Sequence, residues 1–412
     1  MATQRLSNVL SHLSPTSSAV DAITKQDPDD VVITLGIRTP LCKAGRGGFK
    51  DTTLDGLIFK ILEQVRLRCK IDPALVEDIC LGNVRDGNAA YYARAALLAA
   101  GFPNTCTASN TQRFCASGLT ATQHIANEIK TGTIEIGIAV GAESLSGGNE
   151  RLSRPFVDEI LNASDDAKDC LLPMAATSEN VARDFNVSRQ RQDEYAVESY
   201  RRAELAQKSG WFDEEIVPIT TYKDGKETTL TKDEIRWGTT YSGISKLPPS
   251  FPEYGDTTHP GNASQVMDGA AAVLLMKRSK ALELGQPILA KYVGTALAGL
   301  PPRIMGIGPI YAIPKLLARY NLSLHNDVDV IEINEAFASM AVYCRDYLNL
   351  DWTKMNPCGS AIAVGHPFGM TGVRQIVTGL SECRRRKQKI LVTSMCLGTG
   401  MGMAGLFVNE MV

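Results

Sequence analysis

The strongest constraint on this chain is that it lays out the same plan twice. "DVVITLGIRTP" (residues 30–40) is a β-branched run ending in a turn signal, which reads as a buried strand. "LDGLIFKILEQVRLR" has helical apolar spacing, "VEDICLGNV" reads as the next strand, and "ARAALLAAG" as a helix stopped by Gly101. After Cys115, "ASGLTATQHIANEIKTG" is a helix closed by Gly132, followed by the strand "IEIGIAVGAES". The C-terminal part repeats the order: strand "ILAKYVGTA", helix "YAIPKLLARYN", strand into helix "VDVIEINEAFA", helix "GHPFGMTGVRQIVTGLSECRRR", strand "KILVTSMC". An offset of 251 residues lays Asn83 on Asn334, Gly118 on Gly369, Thr120 on Thr371 and Cys115 on His366. Alternating strands and helices predict a layered α/β fold with a mainly parallel sheet. Two similar halves packed back to back bring Cys115 and His366, each at a helix start, to a shared pseudo-dyad.

Between the halves the character changes. Ser188 is placed to cap a helix within "NVSRQRQDEYAVESYRRAELAQKSGWF", although Arg191 denies it a full capping box. This stretch reads as an insertion covering the mouth of a site rather than a third core. Four segments result: a leader and linker at 1–28, an N-terminal half at 29–148, an inserted loop domain at 149–275 that returns to the core, and a C-terminal half at 276–412. A chain of 412 residues, 44% hydrophobic and 21% charged, can bury a large core. Its net charge of −2 leaves no basic footprint for nucleic acid. The run Arg384–Arg386 sits at a helix end, where it favours the dipole and reads as a solvated terminus. The ten cysteines form no C-x-x-C pair and the five histidines fall at no zinc spacing, so no structural metal is expected. No apolar run reaches the roughly 20 residues of a membrane span. A soluble protein of a reducing compartment is expected.

The amino terminus holds "RLSNVLSHL" (residues 5–13), with Leu6, Val9, Leu10 and Leu13 on one helical face. Two readings stand: an amphipathic helix capping the domain, or an address. Asp21 and Asp27 follow a start with a single arginine, which fits poorly with a mitochondrial presequence.

Chemistry concentrates in four short segments. A thiol at a helix N-terminus, as at Cys115, is expected to be acidified by the dipole. Ala116, Ser117 and Gly118 leave room for a substrate to approach the backbone. His366, hemmed by Gly365, Pro367 and Gly369 at the equivalent position of the other half, is a candidate base. Cys396 ends a strand at a glycine-rich turn, "CLGTGMG", where a second thiol can move protons and backbone N–H groups can hold an anion. Asn334 follows an apolar strand, its amide free to hold a water or cap a helix.

"CASG", "NEAFA", "GHPFGMTG" and "CLGTGMG", in that order, resemble the thiolase family; "MAATSENVA" and "GNASQVMDGAA" resemble its CoA-covering loop domain. The likeness runs from about Asp30 onward and is greatest to the peroxisomal 3-ketoacyl-CoA branch. It implies the thiolase-like fold: two similar βαβαβαββ halves as a five-layer αβαβα sandwich, plus the inserted loop domain. It implies CoA-dependent cleavage of a 3-ketoacyl-CoA through an acyl-cysteine in peroxisomal fatty acid β-oxidation, with coenzyme A as substrate, no bound cofactor, and a homodimer built by pairing of the N-terminal-half sheets or the loop region. In that reading Cys115 is the nucleophile, His366 takes its proton, and Cys396 protonates the departing carbanion. Asn334 holds a water that forms one oxyanion hole with His366, and the amides of Cys115 and Gly398 form the other. Ser264 contacts pantetheine, Met174, Ala336 and Phe337 line the thioester slot, and Arg236 lies near the adenine. The start of the chain resembles a type-2 peroxisomal signal, read by an import receptor through Arg5, Leu6, His12 and Leu13.

The chain departs from the family in places. "CTASNTQRFC" brings polar Ser109, Asn110 and Thr111 into a strand expected to be buried, and Gln112 where Asn is usual. Cys358 and Ser360 stand where Arg and Gly are common, and Pro260 where Ala is. The alternatives are an acetoacetyl-CoA thiolase of a biosynthetic pathway, a ketosynthase, which leaves Cys396 unexplained, and a catalytically weakened lipid-binding or scaffold protein on the same fold.

Overall fold

A computed structural model describes residues 18–147 and 156–411. The candidate address at residues 5–13 lies outside them.

The strands are β1 (Val31–Arg38), β2 (Cys42–Lys43), β3 (Asp78–Gly82), β4 (Thr107–Thr111), β5 (Ile136–Glu143), β6 (Ile219–Lys223), β7 (Lys226–Leu230), β8 (Met267–Lys277), β9 (Ala290–Gly299), β10 (Val330–Ile333), β11 (Ile390–Leu397) and β12 (Met401–Asn409). The helices that position the site are α1 (Leu54–Arg68), α2 (Ala89–Ala99), α3 (Ser117–Thr131), α4 (Met174–Asp184), α5 (Arg189–Lys208), α6 (Pro309–Ala318), α7 (Ala338–Tyr347) and α8 (Phe368–Arg386).

The duplication is visible in the strand pairing. In the N-terminal half β3 runs parallel to β4 and β5, β5 pairs antiparallel with β8, and β8 with β1. In the other half β10 runs parallel to β11, β11 pairs antiparallel with β12, and β12 with β9. The two sheets are joined where β1 meets β9 over three residue pairs, Val31 with Tyr292, Val32 with Lys291 and Ile33 with Ala290. The counterpart of β4 in the C-terminal half is reduced to a single bridge between Ile331 and Met355.

Helices α3 and α8 form the middle layer, with α1 and α2 outside one sheet and α6 outside the other. Covered on both faces, β5, β8 and β11 read as nearly unbroken apolar runs and are buried almost throughout. The close approach of α3 to α8 depends on missing side chains. A Cβ on Gly118 would stand 2.5 Å from the carbonyl oxygen of Gly369, and one on Gly372 would stand 2.3 Å from the amide of Leu119. The offset-related landmarks are thus the residues at which the two halves touch.

Strand β4 is half exposed rather than buried, because among the described residues it pairs only with β3 and its other edge is unpaired. Its polar residues have places accordingly: Asn110 Nδ2 donates to Leu81 O at 3.1 Å. The arginine run ending α8 is also partnered. Arg385 and Arg386 bond the buried carboxylate of Glu382, and Arg385 lies 3.7 Å from the Trp211 ring centroid. The inserted segment shares the core: α5 buries Tyr195, Tyr200 and Ala203 against residues of the C-terminal half. It is tied to β1 by buried Arg38, which bonds Glu215 at 2.6 Å and Asp233 at 2.7 and 2.9 Å.

Candidate active site

Cys115 lies between β4 and α3, one residue before the helix cap Ala116. The turn that carries it is tight: Phe114 has φ +47°, in the region that disfavours a side chain, and Ser117 clamps it. The Ser117 hydroxyl accepts from the Arg113 amide at 2.9 Å and donates to Phe114 O at 2.7 Å. His366 occupies the same place in the other half, after Gly365 and before the cap Pro367 of α8.

The two side chains meet. Cys115 Sγ stands 3.2 Å from His366 Nε2, and His366 Nδ1 stands 2.7 Å from Thr371 Oγ1 one turn into α8. With Nδ1–H donating to the Thr371 hydroxyl, the Nε2 lone pair faces the thiol. Asn334 Nδ2 is 3.3 Å from the same Nε2, and Asn334 Oδ1 is buried with no hydrogen-bond partner among the described residues. That open acceptor suits a bound water. Cys396, fully buried at the end of β11, has its Sγ 3.4 Å from Met340 Sδ on α7.

Burial governs the titration of these groups. It pushes the Cys115 thiol up to about 12, with the charge of Glu143 adding to the effect. The expected acidification by the helix dipole is therefore overturned: desolvation of a thiolate outweighs a helix that begins only after Ala116. Burial also lowers His366 to about 3, helped by Arg374. Cys396 is raised well above the ordinary thiol by burial and by the neighbouring Cys115 and Cys344. The resting site holds a neutral thiol against a neutral imidazole, with a second protonated thiol beside them. Such an arrangement can deprotonate its nucleophile only as it attacks, and can donate a proton from a different direction.

A cavity of about 730 Å³ opens onto Cys115 and His366. Met174, Ser264, Ala336 and Phe337 are among the residues that line it. The 262–266 segment is stitched over the site by backbone bonds: Ser264 N to Ala336 O at 3.1 Å, Gln265 N to Ala361 O at 3.1 Å and His366 N to Gln265 O at 2.9 Å. Gly398 lies in the β11–β12 turn beside the turn that carries Cys115, where a Cβ would come 3.2 Å from the Phe114 ring. Arg236 does not line the cavity; it is exposed. Its charge reaches the Tyr200 hydroxyl, which accepts from Gln265 Nε2 at 3.2 Å on the cavity wall. Lys43, Arg46, Phe251 and Met305 also line the cavity and were not singled out from sequence. The basic "KAGRGG" stretch was the available signal for the first two.

The family profile "Thiolase, N-terminal domain" matches residues 31–279, and "Thiolase, C-terminal domain" matches residues 286–409. The chain belongs to the thiolase family. This thiolase is 50% identical over 416 residues to the peroxisomal 3-ketoacyl-CoA thiolase of Yarrowia lipolytica, an alignment covering 98% of this chain and 100% of that one. Its fold is similar to the crystal structure of the dimeric peroxisomal thiolase of Saccharomyces cerevisiae, with a TM-score of 0.90 and 42% identity over 95% of this chain and 100% of the other. The human mitochondrial 3-ketoacyl-CoA thiolase in complex with CoA gives a TM-score of 0.83 and 34% identity, covering 92% and 98% of the two chains.

Proposed function

We propose that this thiolase cleaves 3-ketoacyl-CoA with coenzyme A, as an acetyl-CoA C-acyltransferase of peroxisomal fatty acid β-oxidation. The observation that carries the reading is the 3.2 Å approach of Cys115 Sγ to His366 Nε2. Cys115 attacks the keto carbon as His366 takes its proton. The carbon–carbon bond breaks, and the departing acetyl-CoA carbanion takes a proton from Cys396. Coenzyme A then gives its proton to the Cys396 thiolate and attacks the acyl-Cys115 thioester. The released Cys115 sulfur recovers its proton from His366, so the cycle closes without a net proton. A thiolate suits both halves, being a soft nucleophile and a good leaving group.

Negative charge develops on two substrate oxygens, the attacked keto oxygen and the thioester oxygen of the departing acetyl-CoA, and two oxyanion holes serve them: one made by His366 and a water on Asn334, the other by the amides of Cys115 and Gly398. The middle segment, residues 149–275, acts as the CoA-covering loop domain, with Ser264 toward pantetheine and Met174, Ala336 and Phe337 about the thioester. Coenzyme A is a substrate here and no other cofactor is needed.

The functional unit is a homodimer, and the free edge of β4 is the surface that pairs. Thr107 N and Thr111 O are bonded on the β3 side, so by the strand period Ala108 and Asn110 present their backbone N–H and C=O groups outward. Delivery runs through an import receptor that reads Arg5, Leu6, His12 and Leu13.

Mass spectrometry after addition of acetyl-CoA tests the chemistry: an acetyl adduct on Cys115 is expected, and its absence removes the enzyme in favour of a scaffold. A panel of acyl-chain lengths tests the substrate, since activity confined to acetoacetyl-CoA assigns the biosynthetic role instead.

A further inference from the structure

The strand registers extend the duplication to a second constellation, on the opposite side of the pseudo-dyad from the reacting groups. Gly82 on β3 lies opposite Gly141 on β5, and Ile333 on β10 lies opposite Ser394 on β11. Matching these pairs carries Asn83 onto Asn334. It also carries Glu143, two residues beyond Gly141, onto Cys396, two beyond Ser394. Cys115 already falls on His366. Where the C-terminal half turns Asn334 and Cys396 toward Cys115, the N-terminal half turns Asn83 and Glu143 toward the start of the helix that bears His366.

The Glu143 carboxylate is 1% exposed and accepts four N–H bonds. Asn83 Nδ2 at 3.0 Å and the Arg85 amide at 3.1 Å reach Oε1; the Val84 amide at 3.1 Å and the Gly369 amide at 3.0 Å reach Oε2. Gly369 is the second residue of α8, midway between His366 and the Thr371 that holds its Nδ1. It comes this close only because it lacks a side chain: a Cβ there would stand 2.5 Å from Gly82 O and 2.8 Å from Asn83 Cα. The first turn of α8 has no side-chain cap of its own. Its cap comes from the other half of the molecule.

We propose that Glu143 is the positioning residue for His366, capping the first turn of α8 from the opposite half and so fixing the distance from the imidazole to Cys115. The inference rests on the thiolase chemistry proposed above and adds a group that never touches substrate. A carboxylate is suited to the place because it accepts four bonds at once and sits at the positive end of a helix. Taking up a proton makes one oxygen a donor with no acceptor facing it, and one of the four N–H bonds must break.

Burial raises Glu143 to about 7 against the opposing pull of the Gly369, Arg85 and Val84 amides and the Arg85 charge. The groups around it titrate elsewhere: Cys115 at about 12 and His366 at about 3, while Asp268 on β8 is turned to the Leu145 and Ser146 amides. Glu332 on β10, paired with Arg374 of α8 at 2.8 Å, is a second carboxyl raised to about 7 among the described residues.

The test is Glu143→Gln in the full-length enzyme, alone and with His366→Ala. For the single variant kcat is expected to fall at least tenfold while KM for CoA stays within twofold, and the acid limb of kcat near pH 7 to disappear. Alkylation of Cys115 by iodoacetamide, which needs no turnover, is expected to slow with it. In the His366→Ala background Glu143→Gln is expected to cost nothing more. A wild-type kcat, an acid limb that survives (which assigns it to Glu332), or a further loss on top of His366→Ala each overturns the proposal. If Glu143→Gln does not fold, Asn83→Ala removes one of the four donors. A two- to fivefold loss that vanishes with His366→Ala supports the role, and one that persists overturns it. A wild-type enzyme inert toward 3-ketoacyl-CoA defeats the proposed activity instead, and the alkylation rates still report on Glu143.

Discussion

Cys115 and His366 are separated by 251 positions in the chain and by 3.2 Å in space. Each precedes the first turn of a central helix, and the two helices pack through glycines at those same turns. The distance between the Cys115 thiol and the His366 imidazole is therefore set by how closely two backbones can pack.

Gly118→Ala tests that statement. Its Cβ would meet Gly369 O at 2.5 Å and Val373 N at 3.0 Å, both backbone atoms that cannot swing aside. A loss of about 1–3 kcal/mol in unfolding free energy is expected from overpacking of this kind. Activity should fall further than stability alone accounts for, because the helices part where the pair meets. Denaturant midpoints and kcat measured on the same preparation separate the two.

Cys396→Ala should divide the reaction. Loss of a general acid lowers kcat for cleavage by about 10²–10⁴. Exchange of the acetyl-CoA methyl protons with deuterated water should stop. The acetyl adduct on Cys115 should still appear by mass spectrometry, but more slowly, since forming it needs no carbanion and the CoA thiolate can leave without the proton that Cys396 supplies. A variant that exchanges protons at the wild-type rate would show that another group serves the carbanion.

The buried imidazole makes a statement about acid stability. His366 binds its proton at about 3 in the folded protein, below the ordinary 6.5 that applies when the chain is unfolded. The unfolded chain therefore takes up a proton that the folded one refuses, and stability drains away as pH falls from about 6.5 toward 3. His366→Gln removes this contribution. Urea midpoints of the two proteins, compared at pH 7 and pH 4.5, should show the wild type losing more over that interval.

Ala108→Pro deletes one of the outward N–H groups of β4 and leaves its bonds to β3 in place, since Thr107 and Thr111 are bonded on that side and Ala108 has no side-chain bond to lose. Sedimentation is expected to show a dimer for the wild type and a monomer for the variant. A dimer of unchanged strength would move the interface off β4.

Much of this architecture was legible because it is written as pattern. The alternation of apolar runs and helical stretches marks the layers, and the shared offset of Asn83, Gly118 and Thr120 marks the pseudo-dyad that joins Cys115 to His366. What escaped was whatever depends on three-dimensional environment. The acidity of Cys115 is set by desolvation, which no local motif reports. Thr371 was noticed as a landmark but not as the partner of His366 Nδ1, because only the helix geometry brings the two together. Ser109 and Asn110 looked misplaced until β4 proved to be an edge. Ser360 likewise finds its reason in a neighbour far along the chain, accepting from the buried Arg374 guanidinium at 3.1 Å. Lys43 and Arg46 belong to no motif, and only the fold, which bonds Ala44 N to Val266 O at 3.1 Å, brings them to the cavity wall.

The division of the reacting pair between two halves also has a consequence for synthesis. At translation rates of about 5–20 residues per second, Cys115 leaves the ribosome roughly 10–50 seconds before His366 does. Throughout that interval the nascent chain carries a thiol with no base beside it and no roof of C-terminal helices above it. The proposed cycle therefore waits until the last strands are in place, since a chain cut short after the first half carries Cys115 without His366, Asn334 or Cys396.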